Sequence, residues 1–186
     1  AAIPPSDVLR LIHVSGMDYQ KNPEDMLRAL SIWKSRGGCF MLACYGQAPE
    51  TLKSLAAQLG LEKEIQFHGE APQPEIAAAM RQADALVLYS RFETFGCVII
   101  EAHACGIPVI VSELPVFHET VVAGQNGLFA QGENPEALAG VFATFSQTRY
   151  QYNREQIAAE AARRFGYQPV ARQILEVYRS VSGTQS

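Results

Sequence analysis

Apolar residues follow two different spacings along this chain. Near-continuous apolar runs of strand length cover residues 8–15, 39–45, 65–68, 85–89, 107–112 and, more briefly, 127–130. Between them, apolar residues recur at the spacing of one helix face, over 23–36, 49–59, 74–83 and about 94–105. From residue 135 onward the spacing is helical throughout. These patterns predict about six strands separated by helices, followed by a helical C-terminal region.

The first helix carries the clearest end signals. Asn22 is followed by Pro23, Glu24 and Asp25, which predicts an N-cap, a proline at the first helical position and acids in the first turn. The pair at 37–38 is Gly-Gly, which predicts the end of this helix.

The order of the elements indicates the fold class. Apolar strands that alternate with helices are typical of βαβ units, in which helices cover both faces of a parallel sheet. The chain is therefore expected to be a single α/β domain with a Rossmann-like parallel sheet of about six strands. Ligands bind such sheets at the carboxyl ends of the strands. The candidate loops are 16–21, 46–49, 69–73 and 90–96.

Length and charge narrow the classes of function. The chain has 186 residues, enough for one domain with a sizeable core. Its net charge of −4 argues against nucleic acid as a partner, since phosphate binding needs a basic surface. No apolar run approaches the ~18 residues of a membrane span. We therefore expect no transmembrane segment.

The cysteines and histidines give no metal-binding pattern. The four cysteines lie in apolar segments without C-x-x-C spacing, which predicts reduced, mostly buried thiols in a cytosolic protein: Cys39, Cys44, Cys97 and Cys105. The four histidines share no ligand spacing either: His13, His68, His103 and His118. No metal is expected. The P-loop and G-x-G-x-x-G motifs are absent from the sequence as well.

The most informative segment is 90–102, Ser-Arg-Phe-Glu-Thr-Phe-Gly-Cys-Val-Ile-Ile-Glu-Ala. On the predicted helix, Glu93 and Glu101 would lie about 12 Å apart, too far to share one reacting bond as glycosidase carboxylates do. They could instead hold two parts of an elongated ligand. Residues 94–97 would form the first helical turn, whose free N–H groups suit a phosphate. Glu93 alone could equally be a helix cap, whereas Glu101 is expected to be buried and to need a partner.

Segment 90–102 is followed by Ala-Cys-Gly-Ile-Pro-Val-Ile at 104–110 and Asn-Gly-Leu at 126–128. Together these motifs closely resemble the C-terminal domain of retaining glycosyltransferases of family 4, which have the GT-B fold. The resemblance covers nearly the whole chain. It extends to Phe-His-Gly at 67–69, Ala-Asp at 83–84 and the closing stretch 165–178.

The resemblance implies roles for individual residues. Glu93 would contact hydroxyls of the donor sugar, and Lys21 would bind the diphosphate, both as catalytic residues. Glu101 would bind the nucleotide ribose. Gly16 stands where the family usually has an arginine, so that one cation would face two phosphate charges. The remaining binding residues would act mainly through their backbone: Thr94, Phe95, Gly96 and Cys97 at the sugar and diphosphate, and Phe67 and His68 near the base.

The resemblance also implies what the larger protein does. It would transfer a sugar from a nucleotide-diphosphate sugar, without cofactor or metal, in polysaccharide or glycolipid synthesis. The acceptor glycan or lipid-linked sugar would bind an N-terminal domain that this chain lacks; the start at Ala1 without methionine fits such a piece. The isolated chain would bind nucleotide with little turnover. The parent enzyme would be cytoplasmic, with possible attachment to the inner face of the membrane.

Two other functions fit parts of the pattern. A non-hydrolysing UDP-sugar 2-epimerase shares the GT-B architecture. A doubly wound binding or regulatory module would need an acidic cluster or a hydroxyl-rich loop after the first strand. That strand ends His-Val-Ser-Gly at 13–16 and matches neither.

Overall fold

A computed structural model describes residues 7–183, so the proline-containing start of the chain lies outside the described residues. Six parallel strands form one sheet in the order β3-β2-β1-β4-β5-β6. The strands are β1 Leu9–Val14, β2 Phe40–Tyr45, β3 Ile65–Gly69, β4 Ala85–Leu88, β5 Val109–Ser112 and β6 Gly127–Ala130. Both the fold class and the number of strands are confirmed.

Seven α-helices accompany this sheet in the described part of the chain. They are α1 Pro23–Ser35, α2 Glu50–Gln58, α3 Gln73–Gln82, α4 Cys97–Ala104, α5 Pro135–Thr148, α6 Arg154–Phe165 and α7 Tyr167–Ser182. Apolar residues of α1, α2 and α5 form one core with one face of the sheet. Residues of α3 and α4 form a second core on the other face, and α6 packs against α4. Burial on both faces explains the continuous apolar character of the strands.

The strand order places the candidate site. The chain runs outward from β1 to β2 and β3, then returns to the other side of β1 with β4. The loops after β1 and β4 therefore leave in opposite directions, and the crevice between them is where ligands bind in such sheets. We call the end of the sheet where the strands finish the carboxyl edge and the end where they begin the amino edge.

Two predicted helix starts are corrected. The fourth helix begins at Cys97 rather than near residue 94, after Gly96 with its left-handed φ of 80°. Glu93 and Glu101 are therefore not on one helix, and the 12 Å spacing does not apply. Asn22 precedes α1 as predicted but makes no side-chain cap, because its backbone is left-handed at φ 49°. Its amide instead donates to Asp25 Oδ2 at 3.2 Å.

The prediction of mostly buried thiols is wrong. Only Cys44 is buried, and burial raises the pKa of its thiol to about 12. Cys39 and Cys97 are exposed because they precede β2 and open α4, where the chain meets solvent, and Cys105 is half-buried. All four are free thiols.

The last helix differs from the others. The sequence of α7 is strongly amphipathic, yet none of its residues is buried. Its exposed large hydrophobic residues are Tyr167, Val170, Ile174, Leu175, Val177, Tyr178 and Val181. Between residues 7 and 183, no helix has the length and apolar character needed to cross a bilayer.

Candidate functional site

The candidate site lies at the carboxyl edge, where the loops after β1 and β4 meet. Lys21 ends a short 3-10 helix in the first of these loops, and Glu93 lies in the second. The Lys21 ammonium forms an ion pair with Glu93 Oε1, which also accepts a hydrogen bond from Ser90 Oγ at 3.0 Å. The Glu93 side chain is only 5% exposed. Burying a carboxylate to this degree is costly unless it is paired and hydrogen-bonded, as it is here.

Glu101 lies on α4, as predicted, but it is not buried. It is half-exposed, and its Oε1 accepts a hydrogen bond from Gln73 Nε2 at 3.0 Å. The apolar face of α4 turns Ile99 and Ala102 into the core, so that Glu101 faces the start of α3 instead. Its partner in the structure is the side-chain amide of Gln73, the first residue of α3.

The segment before α4 is a loop rather than a helical turn. Thr94, Phe95 and Cys97 are exposed, and Gly96 occupies the N-cap position. A Cβ at Gly96 would lie 2.8 Å from the Phe117 ring. The close approach that requires glycine here is therefore to Phe117, not only to a ligand as the sequence suggested. The exposed backbone of this loop still leads directly into the N-terminus of α4.

An open cavity of about 360 Å³ adjoins the first loop. Gly46, with φ +118°, brings the end of β2 so close to the first loop that a Cβ there would lie 1.9 Å from Ser15 O. Gln47 Nε2 donates to Glu70 Oε1 at 2.9 Å at the cavity wall. The lining residues are Val14, Ser15, Gly16, Tyr45, Gly46, Gln47, Glu70, Ala71 and Ile76.

Gly16 lies exposed in this cavity wall with room for a side chain. The nearest atom to a Cβ built there is Asp18 Oδ2, at 3.8 Å. Arg91, the other cation of the two loops, is engaged with the first loop: its Nη1 donates to Tyr19 O at 2.6 Å. The position at which the resembled family usually has an arginine therefore carries no charged side chain in this chain.

A buried histidine near the end of β1 supports the loop that follows this strand. His13 Nδ1 lies 2.9 Å from Val87 O, a carbonyl that can only accept, so this nitrogen carries the proton. His13 Nε2 then accepts from Ser15 Oγ at 2.6 Å, and Ser15 Oγ accepts from the Met17 N–H at 2.9 Å. Burial lowers the pKa of His13 to about 4, which keeps the ring neutral.

The two residues expected near the base lie on opposite faces of β3. The Phe67 side chain packs against the core shared with α1, so only its backbone is available at the carboxyl edge. His68 is exposed and stacks on Tyr45, with ring centroids 4.7 Å apart.

The structure brings Lys21 and Glu93 into contact and places Glu101 on the neighbouring loop-helix unit. Sequence reasoning missed Ser90, Gln73 and His13. Gln73 and His13 have partners distant along the chain, whereas Ser90 contacts Glu93 three residues away. For His13 the signal was a polar residue within a largely apolar strand. Within residues 7–183 there is no group of three or more metal-ligating side chains.

Comparison with known proteins identifies the family of this chain. Residues 3–165 match the family model "Glycosyl transferases group 1". The chain belongs to the group 1 glycosyl transferases. Among curated relatives, a "D-inositol 3-phosphate glycosyltransferase" of Corynebacterium efficiens is 32% identical over 171 residues, which are 90% of this chain and 38% of that protein. A protein of the same name from Thermobispora bispora is 31% identical and covers 94% of this chain and 44% of its own.

Solved structures of this glycosyl transferase fold superpose closely. Anabaena HepE with UDP gives a TM-score of 0.83 at 24% identity, over 94% of this chain and 49% of HepE. Sucrose-phosphate synthase from Thermosynechococcus elongatus gives 0.82 at 24% identity, over 98% and 47%. The chain spans less than half the length of these relatives.

Proposed function

We propose that this chain is the C-terminal, donor-binding domain of a retaining glycosyltransferase of family 4. The proposal rests on the Lys21–Glu93 ion pair, which joins the loops after β1 and β4 at the point where the strand order reverses. Glu101 lies on the adjoining helix, α4. One cation and two carboxylates suit a ligand that has an anionic centre and a hydroxyl-bearing group on each side of it.

A nucleotide-diphosphate sugar matches this layout from end to end. Its base would lie at the end of β3, near the backbone of Phe67 and His68. Its ribose hydroxyls would bind Glu101, in place of or beside Gln73. The diphosphate would lie against the backbone of residues 94–97 and the N-terminus of α4, where N–H groups favour an anion.

The chemistry follows from the Lys21–Glu93 pair. In transfer with retention, the bond from the anomeric carbon to the diphosphate oxygen breaks. The oxygen of the acceptor hydroxyl bonds to the same face of that carbon, and the hydroxyl proton passes to the leaving diphosphate. Negative charge develops on the leaving diphosphate, which the Lys21 ammonium would stabilise. Lys21 would then exchange Glu93 for a phosphate oxygen, and the freed carboxylate would accept hydrogen bonds from sugar hydroxyls. No step uses a metal or another cofactor.

The acceptor would bind a second domain. The chain covers 38–44% of its first two curated relatives, which leaves room for another domain of similar size. The unburied apolar face of α7 is a suitable surface for that domain. The acceptor would be a glycan or lipid-linked sugar. We predict that the parent enzyme is located at the cytoplasmic side of a membrane.

Two alternatives are weaker. The family match and the names of the relatives are those of transferases, which disfavours a regulatory module. A non-hydrolysing 2-epimerase on the same architecture would convert a UDP-sugar into its epimer with the nucleotide still attached, whereas a transferase releases UDP, so product analysis with a UDP-sugar separates the two.

Calorimetric titration with UDP, GDP, ADP and their sugar conjugates tests the proposal. We expect saturable binding of one nucleotide class and little sugar transfer by this chain alone. Glu101→Ala should weaken binding roughly tenfold, or about 1.4 kcal/mol. Glu62→Ala, an exposed carboxylate before β3, is the matched control and should leave binding unchanged. Absence of binding by the folded chain to all three nucleotides would contradict the proposal.

A further inference from the structure

The loop after β1 has a backbone that needs external support. Met17 and Asn22 both adopt left-handed conformations, with φ of 51° and 49°, and both side chains are almost fully buried. Such backbone is uncommon in residues other than glycine, and unusual for methionine above all. It persists only where surrounding contacts hold it. The contacts that hold this loop therefore determine where Lys21, which lies between the two residues, is presented.

Most of these contacts come from the loop after β4. The Arg91 backbone N–H donates to Gln20 O at 2.8 Å, and Gln20 Nε2 donates to Phe92 O at 3.1 Å. One residue further along each loop, Lys21 meets Glu93. The two loops, 72 residues apart in sequence, thus run side by side as a short ladder.

The Arg91 side chain closes this ladder. Its Nη1 donates to Tyr19 O at 2.6 Å, and its guanidinium carbon lies 4.2 Å from the centroid of the Tyr19 ring. Its Nε also lies 3.7 Å from Glu133 Oε2, in the loop after β6. The Arg91 side chain is only 15% exposed, so its guanidinium is held by these contacts rather than by solvent. Arg91 thereby joins three loops of the carboxyl edge.

Arginine suits this position better than lysine. A planar guanidinium can stack on an aromatic ring while its N–H groups donate in the plane, whereas an ammonium is a point charge that cannot do both. Because Tyr19 is 71% exposed, little other than Arg91 fixes its ring. The pair is therefore a lock between the loops rather than part of the core.

We propose that Arg91 is a positioning residue that holds the loop after β1 so that the Lys21 ammonium is presented to the phosphate groups of the donor. This inference rests on the proposed function for the identity of the ligand. It gives Arg91 a structural role toward the loop in place of direct contact with the diphosphate.

Hydrogen exchange and nucleotide binding test this role in Arg91→Ala. The Lys21 and Asn22 amides, which donate to Asp18 O and Tyr19 O, should exchange at least tenfold faster than in the wild type. The nucleoside diphosphate that binds the wild type, among UDP, GDP and ADP, should bind at least fivefold more weakly. The affinity of Arg91→Ala for the corresponding nucleoside monophosphate should lie within twofold of the wild-type affinity, because Lys21 would bind the second phosphate, which the monophosphate lacks.

Three further variants separate the contacts. Arg91→Lys should recover only part of the affinity, and Tyr19→Leu, which keeps the carbonyl but removes the ring, should resemble it. Arg36→Ala is the matched control, since its ion pair with Glu136 is exposed and involves neither of the two loops. It should change neither readout.

The results distinguish this inference from the proposed function. Unchanged exchange of the Lys21 and Asn22 amides in Arg91→Ala would overturn it, as would equal weakening of mono- and diphosphate. If the wild type binds none of UDP, GDP and ADP, the donor function fails. The exchange measurement then still decides whether Arg91 holds the loop.

Discussion

Both edges of the sheet hold a carboxylate against a cation, but in different ways. At the amino edge, Asp84 Oδ2 accepts from the Arg10 backbone N–H at 2.8 Å, and Oδ1 accepts from the Arg10 guanidinium at 3.3 Å. The Asp84 N–H in turn donates to Arg10 O at 2.7 Å. At the carboxyl edge, Glu93 Oε1 contacts the side chains of Lys21 and Ser90.

The difference is between a carboxylate bonded to main chain and one bonded to side chains. Bonds from Asp84 to main chain join the starts of β1 and β4, and Arg154 extends this edge by donating to Ala83 O at 2.9 Å. Such a carboxylate cannot leave its partners without disturbing the strands. Glu93 is held by side chains alone, and a ligand can replace those. We therefore expect the amino edge to govern stability and the carboxyl edge to govern binding.

The largest expected effect is a loss of stability at low pH, caused by one buried histidine at each edge. Burial lowers the pKa of both His13, at the carboxyl edge, and His103, which contacts Asn126 O at the amino edge, to about 4. The unfolded chain binds these protons near pH 6.5, so stability is full above that pH and falls as the pH drops toward 4. Lowering the pH from 7 to 5 should therefore lower the free energy of unfolding by about 2 kcal/mol for each of the two histidines.

Urea unfolding at the two pH values measures this loss. His103→Gln should remove about half of the histidine contribution, because the contributions of carboxylates cancel between variant and wild type. A pH dependence identical in variant and wild type would show that His103 is not buried as a neutral ring.

The next effect contrasts the two carboxylates directly. Asp84→Ala should lower the unfolding free energy by about 3 kcal/mol, since it leaves a main-chain N–H and a guanidinium without their acceptor. Glu93→Ala should lower it by less than about 1 kcal/mol, because Lys21 can turn to solvent. Nucleotide binding should respond in the opposite order. Equal stability losses in the two variants would break the contrast between the edges.

The smallest effect concerns the cation that the carboxyl edge lacks. Gly16→Arg should tighten nucleoside diphosphate binding about fivefold, or roughly 1 kcal/mol, since a second cation would face the phosphates and the site has room for it. The gain should shrink with added salt. Gly140→Arg, on the exposed side of α5 with open space around it, is the control and should have no effect. An unchanged affinity in Gly16→Arg would place the phosphates elsewhere.

Much of the fold follows from local pattern. Strand-length apolar runs and helical spacing predicted all six strands, because a sheet covered on both faces needs apolar residues at nearly every strand position. The start of α4 was misplaced because the spacing of apolar residues does not show where the chain turns left-handed, as it does at Gly96. For the same reason Asn22 was expected to cap α1 with its side chain.

The site was predictable in its residue types but not in its contacts. The spacing of Glu93 and Glu101 marked the segment, and the resemblance added Lys21. That Lys21 touches Glu93, that Gln73 reaches Glu101 and that Arg91 locks onto Tyr19 are consequences of strand order.

The sequence by itself determined the elements and the chemical groups at their ends, because hydrophobic period and turn residues act over a few positions. Only the tertiary structure decided which loops meet, because the chain returns from β3 to pair β4 with β1 and brings residues 72 positions apart into contact. It also decided the burial of individual side chains. Glu101 on an apolar helix is half-exposed, while Glu93 in a loop is nearly covered, because each depends on what packs against it.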